Sequence, residues 1–113
     1  MSLEKLKRYS VPNKITKAIM DFVRALRERY DDVEVYLFGS YARGTWIEDS
    51  DIDVIVVSKY FNGMSLEERV RILRMLADKS IPFQIFAYTP NEFRRVLRRS
   101  AILQDAQEYW IKL

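Results

Sequence analysis

Apolar residues recur along the chain with two periods, and the switches between them outline the elements. Between Asn13 and Tyr30 the positions Ile15, Ile19, Phe22, Val23, Leu26 and Tyr30 keep a 3.6-residue stripe. Pro12 and Asn13 supply a helix start and Asp31-Asp32 a stop. Residues 33–38 (Val-Glu-Val-Tyr-Leu-Phe) are β-branched and aromatic and predict a strand. Gly39-Ser40 interrupts it, residues 41–43 predict one helical turn, Gly44 breaks that turn, and residues 45–50 read as loop. Residues 51–57 (Asp-Ile-Asp-Val-Ile-Val-Val) predict a second strand.

The second half repeats the alternation. Ser65 and Glu68 form a capping box ahead of a helix with Leu66, Val70, Leu73, Leu76 and Ala77 on one face. Pro82 leads into a third strand, residues 83–88 (Phe-Gln-Ile-Phe-Ala-Tyr). Thr89, Pro90 and Glu92 combine a cap, a first-turn proline and a third-position glutamate, with Phe93, Val96 and Leu97 as the apolar side. Ser100 or Ala101 opens one more helix through Ile102, Leu103 and Ala106. The apolar tail 109–113 reads either as a helix end or as a short fourth edge strand. Residues 1–12 read as a mostly polar leader carrying Leu3 and Leu6, attached to one domain that takes up the chain. The expected fold class is α/β (α+β): a small mixed three-stranded sheet with its helices mainly on one face, and polar residues on the other.

Composition narrows the chemistry. With 113 residues, 49% hydrophobic and 31% charged, and fifteen aromatic side chains, the chain has the balance of a globular domain rather than of a disordered tail. It has no Cys, which excludes disulfides, a thiolate nucleophile and a cysteine zinc site. It has no His, which excludes a Ser-His-Asp triad, a histidine base and a histidine metal site. A metal must then be a hard cation held by oxygens, with Mg²⁺ the first candidate. The longest apolar run, Val54 to Val57, is far too short to span a membrane, and the N-terminus shows no apolar signal segment, so a cytoplasmic location is expected. The net charge of +3 is too mild to imply nucleic acid. Arginines do cluster, at 24, 27 and 29, at 69, 71 and 74, and at 94, 95, 98 and 99. They read as solvated helix faces or as a surface for an anionic ligand or partner.

The chemistry concentrates between residues 39 and 53. Gly39-Ser40 follows a strand and opens a helical turn, where the missing Cβ lets a phosphate approach and backbone N–H groups face it. Asp51 and Asp53 sit at i and i+2 on a strand, so both carboxylates share one face and can converge on the same cations. Asp53 lies inside an apolar strand, where acids are disfavoured, and two like charges on one face repel unless a cation joins them. The ten intervening residues return the chain antiparallel, which brings the turn to the carboxylates. Gly-Ser alone is a common turn, and Asp-x-Asp alone a common strand edge. Four specified residues at ~6% each, over ~100 start positions, coincide by chance in on the order of one chain in a thousand.

Residues 37–56 (Leu-Phe-Gly-Ser-Tyr-Ala-Arg-Gly-Thr-Trp-Ile-Glu-Asp-Ser-Asp-Ile-Asp-Val-Ile-Val) resemble the signature of the DNA polymerase β-like nucleotidyltransferase superfamily. Within it the chain resembles the minimal nucleotidyltransferases, or MNT proteins, whose Gly-Ser, ten residues, Asp-x-Asp pattern it matches without a gap. Residues 86–93 and 102–113 resemble the family's strand-to-helix junction and its last helix and apolar end. The resemblance implies that fold, with Gly39 and Ser40 on the β- and γ-phosphates of a nucleoside triphosphate and Asp51 and Asp53 on Mg²⁺. Arg43 would touch phosphate or serve as a loop anchor. The superfamily carries a third carboxylate on the strand before the Thr-Pro helix start, and the matching residue here is Gln84. An amide is a neutral ligand and takes no proton from an attacking hydroxyl. Glu48 and Asp49 are nearby acids that could substitute.

Three functions follow as expectations. The first, implied by the resemblance, is an enzyme that moves AMP from ATP to a tyrosine of a HEPN-type toxin, and so acts as an antitoxin. The second is a catalytically weakened module that neutralises its partner by contact, which Gln84 favours. The third, a nucleic-acid-binding domain using the arginines, ranks last because no aromatic-plus-basic strand motif supports it.

Overall fold

The computed structural model describes residues 3–113, so Met1 and Ser2 of the expected leader lie outside the described residues. The chain runs α1 (Glu4–Arg8), α2 (Asn13–Arg29), β1 (Glu34–Phe38), α3 (Gly39–Arg43), β2 (Ile52–Val57), a 3₁₀ turn (Lys59–Phe61), α4 (Leu66–Leu76), β3 (Phe83–Tyr88), α5 (Pro90–Arg99), α6 (Ala101–Ala106) and β4 (Ile111–Lys112). The strands form one sheet in the order β3-β2-β1-β4. β1 is antiparallel to both β2 and β4, and β2 is parallel to β3, with α4 in the crossover. β2 therefore has a strand on each side, and Val54 to Val57 are buried on both faces, which accounts for an unbroken apolar run.

Of the two readings open for the tail, the edge strand holds. Ile111 pairs with Leu37, and the Leu113 N–H donates to the Val35 carbonyl at 2.8 Å. The Arg27 guanidinium donates to the Leu113 carbonyl at 2.9 Å, which ties this edge to α2.

Alternation divides the sheet's side chains between two cores. Val35, Leu37, Val54, Val56, Phe83 and Ile85 face the larger one, shared with α1, α2 and α4. Tyr36, Phe38, Ile55 and Val57 face a smaller one closed by Phe93 of α5 and by Leu103 and Ala106 of α6. Of the four helices the sequence predicts, α2 and α4 cover one face and α5 and α6 the other, so cover is shared and not mainly on one side. The second face is not left to polar groups, because α5 and α6 enclose an aromatic layer there. Tyr36 sits 4.5 Å from Trp110 and 5.4 Å from Phe93 between ring centroids. Asp53 and Gln84 stand at one end of this second face.

Two local expectations change. The segment read as a polar leader is folded: Leu6 of α1 is 1% exposed and Val11 is buried in the larger core. Tyr9 accepts a hydrogen bond at 2.9 Å from the indole N–H of Trp46, so this segment braces the 45–50 loop. On α4, Leu66 is 61% exposed while Arg69 is 4% exposed, which removes Arg69 from the solvated arginine face. Its guanidinium donates to both Glu92 oxygens at 2.6 and 3.2 Å. It also donates to the carbonyls of Met64 and Ala87 at 3.1 and 3.2 Å. A buried charge survives in an apolar core only when paired and hydrogen-bonded in this way.

Candidate active site

β1 ends at Phe38, whose register partner is Asp53, so the chain enters Gly39 directly beside that carboxylate. Gly39 has φ +73°, in the left-handed region that side chains disfavour. A Cβ built on it would also overlap Oδ2 of Asp53. Glycine is thus demanded twice, by backbone conformation and by the closeness of the acid. The turn closes where the N–H groups of Gly44 and Thr45 donate to the Ser40 carbonyl at 2.9 and 3.0 Å. Gly44 ends α3 at φ +82°, and a Cβ there would come within 2.6 Å of the Tyr9 ring.

The two acids differ in setting. Asp51 is exposed just ahead of β2, and Asp53 is partly buried in its first turn of pleat on the same face. Burial, and secondly the charge of Asp51, push the Asp53 carboxyl up to about 6. Both causes penalise the ionised form, and a cation between the carboxylates would relieve both. Two hard oxygen donors beside a glycine turn suit Mg²⁺, which is commonly held by one or two carboxylates together with substrate phosphates.

A third carboxylate does not join them. Gln84 is exposed on the same face of the sheet and pairs in register with Asp53 across the parallel β2–β3 strands. Asp49, at φ +71°, and Glu48 are exposed in the loop. Among the described residues no group of three His, Cys, Asp or Glu side chains is placed to hold a metal. Arg43 donates to Oδ2 of Asp105 on α6 and lies 4.2 Å above the Tyr109 ring. That is the geometry of a loop anchor, though both members of the ion pair are about half exposed and so weakly held.

One structural member of the site is absent from the sequence expectations. Tyr41 is buried, stacks on Trp46 with centroids 6.0 Å apart, and donates its hydroxyl to the Ser50 carbonyl at 3.3 Å. It ties the start of the turn to the end of the loop and thereby sets where Asp51 emerges. Burial, then the charges of Asp49 and Asp51, raise its pKa. The signal for it was an aromatic directly after Gly-Ser with a tryptophan five residues on.

A mixed sheet of this order, with a Gly-Ser turn pressed against an Asp-x-Asp strand, defines a nucleotidyl-transferring class of domain. The chain belongs to the nucleotidyltransferase domain family, which matches residues 19–109. It is 29% identical to a "Putative protein adenylyltransferase" of Methanocaldococcus jannaschii over 82% of this chain and 88% of that protein. A second protein of that name and organism is 51% identical over 43 residues, where the match spans 36% of this chain and 43% of the relative. Among solved structures, a "putative nucleotidyltransferase" from Sulfolobus solfataricus shares the fold with TM-score 0.60 and 24% identity, over 82% of this chain and 78% of that one. A toxin–antitoxin structure with AMP-PNP shares it with TM-score 0.52 and 21% identity, over 82% and 69%. The family is the nucleotidyltransferase one that the motif resembles. No described helix is long and apolar enough to cross a membrane.

Proposed function

We propose that this chain is a Mg²⁺-dependent adenylyltransferase that moves AMP from ATP to a tyrosine of a separate HEPN-type toxin and so serves as its antitoxin. The observation that carries this reading is the packing of Gly39 against Asp53, with Asp51 two residues away on the same face. It is supported by the relatives' adenylyltransferase names and by a fold-mate solved as a toxin–antitoxin pair with AMP-PNP.

In this reading Asp51 and Asp53 hold Mg²⁺, and the Gly39-Ser40 turn takes the β- and γ-phosphates. The metal supplies charge neutralisation and alignment of the phosphates when bound. The acceptor phenol oxygen bonds to the α-phosphorus, the bond to the β-phosphate bridge breaks, pyrophosphate leaves with its electron pair, and the phenol proton passes to solvent. Without a histidine the protein contributes positioning and electrostatics more than proton transfer. Arg43, three residues on from Ser40, would exchange its exposed Asp105 partner for a phosphate.

The test is transfer of label from ATP labelled at the α-phosphate to a purified HEPN-type partner with Mg²⁺ present. Label on a partner tyrosine, lost in Asp51→Asn and in Asp53→Asn, is expected. A second reading rests on Gln84, which puts an amide where a third acid would complete the metal set. There the chain silences its partner by contact alone. A stable complex formed without ATP, with the partner unlabelled and inactive, would decide for it.

A further inference from the structure

A groove whose lining shares no residue with the Asp51–Asp53 site opens beside α4 and α5. It has a volume of about 610 Å³ and runs between the start of α4 and the length of α5, floored by Arg69, Tyr88 and Val96 and edged by Met64 and Leu66. Such a volume is in the range of pockets that take specific ligands. Its floor is already satisfied, because the buried Arg69 spends its donors on Glu92 and two carbonyls. What is unspent is at the rim. Leu66 is 61% exposed on one bank. Arg95 and Arg99, both exposed, stand one helical turn apart on the other.

The charge pattern of α5 is lopsided. Arg94, Arg95, Arg98 and Arg99 are all exposed, and among the described residues none has a carboxylate within ion-pair distance. Elsewhere Lys17–Asp21, Arg43–Asp105 and Lys112–Glu34 are paired while other exposed cations such as Arg71 and Arg74 are not, so what marks α5 is four unpaired arginines on one short helix. A bare cationic rim beside an exposed aliphatic bank asks for an occupant that is acidic along its flank and apolar along its face. The groove follows α5 from Glu92 to Ser100, about 12 Å at 1.5 Å per residue, which matches roughly two turns of a docked helix.

From this we infer that the α4–α5 groove docks an acidic amphipathic helix of a partner protein. Two carboxylates one turn apart meet Arg95 and Arg99, and the helix's aliphatic stripe covers Leu66, Met64 and Val96. RNA fits less well. The groove's lining has one aromatic ring, that of Tyr88, which is half-buried and 6.2 Å from Phe93 in a stacked pair, so bases find no open platform. The inference rests on the proposed reading only in that the acceptor is a separate protein. It places the docking surface apart from the nucleotide site.

The test uses the full chain and a fluorescent amphipathic peptide of about 15 residues, with leucines at i, i+3, i+4 and i+7 and glutamates flanking them. Controls are the same peptide with lysines for glutamates and a labelled single-stranded RNA. Fluorescence anisotropy should show binding of the acidic peptide alone, weakened by salt. Affinity should fall about tenfold or more in Arg95→Glu/Arg99→Glu and in Leu66→Glu, both checked for fold by circular dichroism and for unchanged ATP–Mg²⁺ affinity. Equal binding by wild type and variants, or no binding of the acidic peptide, overturns the inference. RNA binding that the same variants abolish overturns it too, in favour of a nucleic-acid surface. Loss of AMP transfer with peptide discrimination intact would sink the transferase reading and leave this one standing.

Discussion

Gln84 of β3 stands beside Asp53 of β2, in register across a parallel strand pair and on the same face of the sheet. The strand alternation behind that placement is as the sequence implies: Phe83, Ile85 and Ala87 are buried in the larger core, while Gln84, Phe86 and Tyr88 point the other way. Gln84→Asp should therefore add a third carboxylate to the pair and raise AMP transfer, by about 10²-fold if a positioned base is what the chain lacks. Initial rates with labelled ATP, wild type against variant, decide it. An unchanged rate beside an already competent wild type means that two acids suffice.

Burial of Asp53, and secondly the charge of Asp51, set the pH response of the metal-free protein. The folded-state pKa of Asp53 is raised to about 6, above its unfolded value. The folded state therefore binds this proton more tightly, and stability falls as pH rises from about 4 to about 6. A displacement of that size is worth at most about 3 kcal/mol. Asp53→Asn should remove this dependence, raise the melting temperature at neutral pH with chelator present, and abolish Mg²⁺-dependent transfer. Urea melts of both proteins at the two ends of the window measure it, and parallel curves for the two would refute the assignment.

Gly39 and Asp53 should prove energetically coupled. Gly39→Ala forces a side chain into the left-handed region, at about 1–2 kcal/mol, and drives its Cβ against the Asp53 carboxylate. The substitution should destabilise the fold and eliminate ATP–Mg²⁺ binding by calorimetry. In an Asp53→Ala background the carboxylate overlap is gone and only the residue-53 Cβ, at 3.1 Å, stays close, so the stability cost should shrink towards the backbone component. Additive costs in that double-mutant cycle would mean the two do not touch in solution.

Glu92 serves two masters, the Thr89 cap and the Arg69 guanidinium. Its oxygens accept from the Thr89 N–H at 2.8 Å and from Arg69 at 2.6 and 3.2 Å. The hydrogen bond from Arg69 first, and then the Thr89 backbone N–H, outweigh burial and hold its pKa at about 2. A lowered folded pKa contributes stability that is present above about 4 and lost as pH falls through about 2. Glu92→Gln leaves the Arg69 charge buried without its counter-ion and should cost about 3–5 kcal/mol. Equilibrium denaturation at neutral pH, repeated at acid pH where the difference should narrow, is the measurement.

What the sequence determined by itself is what neighbouring residues encode. The period of α2, the Ser65 cap of α4 and the capping box of α5, and the Gly39-Ser40 to Asp51-x-Asp53 spacing are local. Each follows from sterics or hydrogen bonding within a few residues, or from the antiparallel return of one short loop. The tertiary structure decided the rest. Leu6 is buried only because α1 packs beside α3, and a lone leucine in a polar stretch carries no sign of that. Arg69 looked like one more solvated arginine, since its partner Glu92 lies 23 residues away and meets it only after β3 has been laid against β2. The apolar residues of α5 and α6 could not announce which sheet face they would close, because an amphipathic stripe specifies that a helix is covered and not by what. The parallel register of β2 and β3, set by the α4 crossover, is likewise what puts an amide rather than an acid next to Asp53.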